Sequence, residues 1–188
     1  MIYLDLDDFY DGNASWNMLS DLHSRIPSFK ITLFTIPGRC SPAFLRWAFK
    51  HSWMDLVPHG WMHHTNYECT RWTYEDMRAY IAEYQRLGFT TKGFKAPGWQ
   101  ISNGCYQALL DSGYWVADQP YNANRRPSGL PAYLLGDHSI HGHVGHLNGH
   151  NSNALELIFD SILAKKNAEF GFIRDLMEEE ALRIWRSA

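Results

Sequence analysis

The sequence predicts an α/β fold built on a parallel sheet, from three observations. Short β-rich runs alternate with longer helix-patterned stretches almost from end to end. Seven or eight such runs favour a closed barrel over a doubly wound sheet. Unusual polar residues collect at the ends of these runs, where the carboxyl-terminal rim of a parallel barrel holds its chemistry.

In chain order the expected strands are Ile2–Asp7, Lys30–Thr35, Met54–Pro58, Thr91–Ala96, Tyr114–Asp118, Tyr133–Leu135, Ser139–His143 and Glu169–Ile173. The expected helices are Trp16–Arg25, Pro42–His51, Tyr74–Leu87, Asn103–Asp111, Ala154–Lys165 and Leu176–Arg186. Thr73 with Asp76 three residues on reads as a capping box, and Gly88 and Gly113 stand where helices should stop. Residues Gln119–Pro131, with three prolines and the pair Arg125-Arg126, form the one long irregular stretch. Its flanks are too small to fold alone, so it is a surface loop and the chain is expected to be one domain over 1–188.

Composition excludes several classes. The net charge is -3 and there is no block of like-charged basic residues, which argues against a nucleic-acid surface. No apolar run is long enough to span a membrane. The opening Met1-Ile2-Tyr3-Leu4-Asp5-Leu6-Asp7-Asp8 lacks a basic leader, and Cys40, Cys69 and Cys105 form no C-x-x-C pair. Together these predict a cytoplasmic protein with reduced thiols. Aromatic residues make up 15% of the chain; most serve packing, while Trp61, Trp99 and Trp115 are candidates for stacking on sugar rings.

The chemistry-bearing residues fall at strand ends: Asp7 and Asp8 after the first strand, His59 after the third, Lys95 on the fourth, Asp118 on the fifth, His141 and His143 on a late one. His59 and His63 are four apart, so a helical turn would put both rings on one face able to grip one ion. Two imidazoles with one carboxylate suit zinc, with cobalt, nickel and iron as alternatives, and leave positions open for water and substrate. Adjacent side chains on a strand point to opposite faces, so Asp7 and Asp8 should divide their labour unless the strand turns there. One would hold the metal and the other would stand beside the activated water. Asp5 shares the side of Asp7 and, being deeper, is expected to serve a structural ion pair. His64 and Glu68 are expected to support the metal ligands rather than join them.

In this order the segments resemble the polysaccharide deacetylase family, the NodB-homology domain of carbohydrate esterases. Leu6-Asp7-Asp8 resembles its acidic motif, and His59-Gly60-Trp61-Met62-His63 its H-[S/T]-x-x-H motif with glycine at the small position. Lys95-Ala96-Pro97 resembles its R-x-P segment, Asp118 its later aspartate, and Ser139-Ile140-His141 its histidine strand end. The matches span residues 5 to 143. The resemblance implies a distorted (β/α)7-type barrel and removal of an N-acetyl group from an amino sugar or acetylated saccharide by water activated on a divalent metal. It also implies Asp8, His59 and His63 as metal ligands, Asp7 as general base and His141 as general acid, with Lys95 and Asp118 completing the site.

Two departures qualify the match. Lys95 replaces an arginine, giving a point charge instead of a planar fork beside the base. Five histidines crowd His138–His150, and His141 and His143 share one strand face, so either is a candidate acid, with His141 favoured by motif position. The alternatives are a metal-dependent amidohydrolase acting on a non-sugar C–N bond and a catalytically weak carbohydrate-binding protein. The sequence leaves the oligomeric state open.

Overall fold

The computed structural model describes residues 1–145 and 153–187; of the crowded histidines, His146 and His150 lie outside this range. All eight expected strands form: β1 (Ile2–Phe9), β2 (Ile31–Thr35), β3 (Met54–Pro58), β4 (Gly93–Lys95), β5 (Trp115–Asp118), β6 (Ala132–Leu134), β7 (Ser139–His143) and β8 (Phe170–Gly171). So do the six helices, α1 (Trp16–Arg25), α2 (Pro42–Ala48), α3 (Tyr74–Leu87), α4 (Asn103–Asp111), α5 (Leu155–Leu163) and α6 (Ile173–Ser187). The chain groups into two compact units, Met1–Thr35 with Arg39–Leu56 and Leu135–Phe172, and Ile36–Gly38 with Val57–Leu134 and Ile173–Ala188.

The first unit carries a sheet of order β3-β2-β1-β7, with β8 also paired to β1, and the pairings of β1 with β2, β7 and β8 are parallel. Central β1 is buried from Leu4 onward, which is why its apolar residues do not simply alternate with exposed ones. Leu4, Leu6, Ile31 and Leu33 of the sheet and Leu19 and Leu22 of α1 are all closed to solvent. Each such side chain, fully buried, contributes about 1.5–3 kcal/mol. Trp16 packs on Trp47 and stacks on Trp53.

The second unit carries the parallel sheet β4-β5-β6. The capping box at Thr73 and Asp76 opens α3, and Gly88 at φ 100° closes it. Ser102 caps α4, its hydroxyl accepting from the Cys105 N–H at 3.1 Å. The fully buried rings of Tyr84, Phe94 and Tyr106 fill the core, and Trp115 lies against Gly93 in β4 at 5% exposure. Trp115 is therefore core and not a sugar-stacking wall.

Boundaries differ from expectation where local hydrogen bonding decides. β1 runs two residues past Asp7, to Phe9. α2 stops at Ala48 because Lys50 and His51 donate to the carbonyls three residues back, tightening the last turn out of α-geometry. The stretch expected to be irregular contains a six-residue 3-10 helix, Pro120–Arg125.

Candidate metal and acid–base site

In the first unit β1 is irregular where it carries its paired aspartates. The register against β2 shifts between Leu6 and Phe9, and Asp8 sits at φ 67° in the left-handed region. A bulge of this kind re-aims side chains and resolves the problem of two adjacent aspartates on one strand. It also costs energy, since a non-glycine residue held at positive φ typically stores about 1–3 kcal/mol. Asn13 fixes the distortion, its amide donating to the Asp8 carbonyl at 3.0 Å. Both carboxylates are buried, Asp7 at 5% and Asp8 at 3% exposure.

The parallel register of β1 with β7 sets Asp5 beside His141 and Asp7 beside His143. With a period of two, all four side chains share one face of the sheet. His141 Nδ1 lies 2.6 Å from Asp5 Oδ1, and His143 Nε2 lies 3.9 Å from Asp7 Oδ2. Asp5 is expected to serve a structural ion pair; its carboxylate instead sits at hydrogen-bond distance from the candidate acid itself. His143 Nδ1 meets Asn153 Oδ1 at 2.9 Å, while Asn153 Nδ2 donates to the His141 carbonyl at 3.3 Å. The second bond orients the Asn153 amide, so its oxygen faces His143. Asn153 was not anticipated, because its reach to β7 is a tertiary contact with no local signature.

In the second unit the stretch His59–His63 is not helical, which corrects the expectation of a shared helical face. Gly60 has φ 60° and His63 φ 50°, and the N–H groups of Trp61, Met62 and His63 point into the Glu68 carboxylate at 3.4, 2.9 and 2.7 Å. A carboxylate takes the bonds that a helix would have given to carbonyls. The rings still converge, with centroids 5.0 Å apart. Tyr84 Oη donates to the Gly60 carbonyl at 2.9 Å and holds the turn from below. A Cβ at Gly60 would lie 2.8 Å from both Glu68 Oε2 and Pro97 Cγ, so glycine stands at the small-residue position for a steric as well as a conformational reason. Glu68 therefore braces this turn through its backbone, whereas His64 is exposed.

His59 Nδ1 lies 3.1 Å from the Lys95 carbonyl, which also accepts from the Gly60 N–H. A carbonyl only accepts, so Nδ1 carries the proton and the ring presents the Nε2 lone pair. This is the arrangement that metal-ligating imidazoles adopt. Lys95 contributes here through its backbone, and its ammonium lies 3.9 Å from the centre of the Trp99 ring in a cation–π contact.

Asp118 ends β5 as expected, but both of its oxygens are engaged by neighbours. Oδ2 accepts from Tyr106 Oη at 2.7 Å and pairs with Arg126 at 3.0 Å; Oδ1 accepts from Asn122 at 2.7 Å and the Gln119 N–H at 2.8 Å. Burial first, and this carboxylate second, hold the Tyr106 phenol well above its usual range, so it remains an O–H donor. Asp118 anchors the loop that follows β5, a role for Arg126 and Asn122 that sequence reasoning missed.

No protein-family model matches the sequence, and no curated protein does. Solved structures do. The Xyl-CE4 domain of a multidomain xylanase from the hindgut metagenome of Trinervitermes trinervoides superposes with a TM-score of 0.63 at 19% identity, over 95% of this chain and 90% of that one. The chitin deacetylase of Colletotrichum lindemuthianum gives 0.58 at 16% identity, over 93% and 85%. A CE4 family pseudoenzyme from Bacillus anthracis gives 0.60 at 13%, over 94% and 65%. The likeness is to family 4 carbohydrate esterases. At these identities it is a likeness of fold, the α/β distorted (β/α)7-type barrel implied by the sequence motifs.

Proposed function

We propose that this chain is a metal-dependent deacetylase that removes the N-acetyl group from an amino sugar or acetylated saccharide, with residues 1–188 working as one catalytic domain. Asp8, His59 and His63 would hold one divalent ion, zinc in first place. The observation that carries the reading is the His59 ring, fixed through Nδ1 on the Lys95 carbonyl so that its lone pair is on Nε2, and set 5.0 Å from the His63 ring. Backbone distortion at Asp8 and His63, both at positive φ, supports it, since such strain concentrates at functional sites.

Bound there, the ion would polarise the acetyl carbonyl and lower the pKa of a water molecule. The remaining work belongs to the chain. Asp7 takes the proton from the attacking water. His141, held through Nδ1 by Asp5, delivers a proton from Nε2 to the departing nitrogen. Lys95 and Asp118 act as positioning residues, the first through its carbonyl and the second through the loop it anchors. Chitin deacetylase among the structural neighbours favours an N-acetylated saccharide as substrate.

The replacement of arginine by Lys95, whose ammonium is engaged by Trp99, favours as second reading a catalytically weak saccharide binder, and a pseudoenzyme stands among the neighbours. A metal-dependent amidohydrolase acting on another C–N bond is the third. Protein loaded with zinc or cobalt and assayed on chitooligosaccharides separates the three. Metal-dependent acetate release supports the deacetylase, release of ammonia or another acid from a different amide supports the amidohydrolase, and no turnover despite bound metal supports the binder.

A further inference from the structure

We propose that Asp7, His141 and His143 form a second divalent-cation site, and that zinc bound there switches the deacetylase off. The inhibitory part rests on the roles proposed above for Asp7 and His141; the site itself rests on geometry alone.

One carboxylate oxygen and two imidazole nitrogens from these residues lie within 4.8 Å of one another, on two strands whose register sets Asp7 directly beside His143. Each imidazole is oriented through Nδ1. Asp5 Oδ1 holds that of His141 at 2.6 Å, and Asn153 Oδ1 holds that of His143 at 2.9 Å. The Asn153 amide is itself oriented by its bond to the His141 carbonyl. Both neutral rings therefore carry their lone pair on Nε2, and His143 Nε2 stands 3.9 Å from Asp7 Oδ2. A carboxylate or amide oxygen behind the distal nitrogen is the outer shell that imidazole ligands of metals have.

A simple proton relay to Asp7 needs one imidazole. Two imidazoles, each fixed by its own partner and sharing one sheet face with a buried carboxylate, form a two-histidine, one-carboxylate donor set. Zinc with ligands at about 2.0–2.2 Å in tetrahedral array needs donors about 3.3–3.6 Å apart, so closure from the present separations asks for movements of about 1 Å. His143, at 24% side-chain exposure, is the least buried of the three. With zinc in place, the Asp7 oxygen and the His141 Nε2 are metal ligands and can neither accept nor deliver the protons of the reaction.

The test titrates metal-stripped protein with zinc and reads bound metal by equilibrium dialysis with elemental analysis. The wild type should reach two ions per chain, His143→Gln one, and His63→Ala one. An anomalous difference map from wild-type crystals at excess zinc should show a peak between Asp7 and the two Nε2 atoms, which makes the result independent of how the variants fold. Acetate release should fall by about 100-fold between the first and second equivalents, the lower end of what general acid–base groups contribute. A single ion at saturating zinc, or no anomalous peak at this triple, overturns the proposal. If no acetate is released at any zinc level, the deacetylase reading falls while ion count and map still decide this site.

Discussion

At the scale of single residues, neighbours that look alike have separate tasks. Asp7 and Asp8 are adjacent carboxylates, but they stand in different backbone settings, Asp8 in the left-handed region at φ 67°. Asp7→Asn should reduce acetate release by about 100-fold or more while one ion per chain stays bound, measured by elemental analysis beside the assay. Loss of that ion would reverse the roles of the two aspartates. Glu68 illustrates support without contact to the chemistry: its carboxylate gathers three backbone N–H groups of the turn that carries His63. Glu68→Ala should weaken zinc affinity about 10–100-fold, read by competition with a chromogenic chelator. Gly60→Ala should do likewise and also lower stability, because φ 60° and two contacts of 2.8 Å leave no room for the methyl group.

At the scale of elements, much of the molecule was legible in the sequence. The helices were announced by their ends: Thr73 and Asp76, then Gly88, bound α3 as expected. The strands were announced by apolar runs, and their order along the chain is the order of the fold. Ser102 can be tested as such a signal. Its hydroxyl accepts from the Cys105 N–H and donates to the Trp72 carbonyl, so Ser102→Ala should cost about 1 kcal/mol in urea denaturation. What misled was spacing read without tertiary context. The H-x-x-x-H pattern suits a helix, but Gly60 at positive φ and a carboxylate five residues beyond His63 made a turn instead. Similarly, a strand of alternating aspartates gave no sign of the bulge at Asp8, since a bulge is set by pairing with β2. Asn122, which pairs with Asp118, and Asn153, which pairs with His143, lie four and ten residues on, where the sequence has no periodicity to read.

At the scale of the whole molecule, half-buried Cys40 and buried Cys69 give the fold a pH dependence of definite sign. Burial first, then the Asp11 carboxylate, pushes the Cys40 thiol from 9.0 up to about 12, and burial pushes the Cys69 thiol well above 9.0. A raised value means that the folded chain keeps protons which the unfolded chain has released. That stabilisation is present in full below pH 9.0 and is lost as pH rises towards about 12. Thermal midpoints should therefore decline above about pH 9, and replacing Cys40 and Cys69 with alanine should flatten the decline. The same thiols should resist alkylation in the folded protein at pH 8, since the reactive species is the thiolate. The family resemblance extended over residues 5 to 143, and the structural neighbours share the fold over more than nine tenths of the chain. Within that frame the functional claim turns on one ion. A crystal grown with a single equivalent of zinc, measured at the zinc edge, tests it most directly. One anomalous peak bonded by Asp8, His59 and His63 together is the expected result. A peak held by the two histidines with Asp8 remote from it would overturn the proposed metal centre.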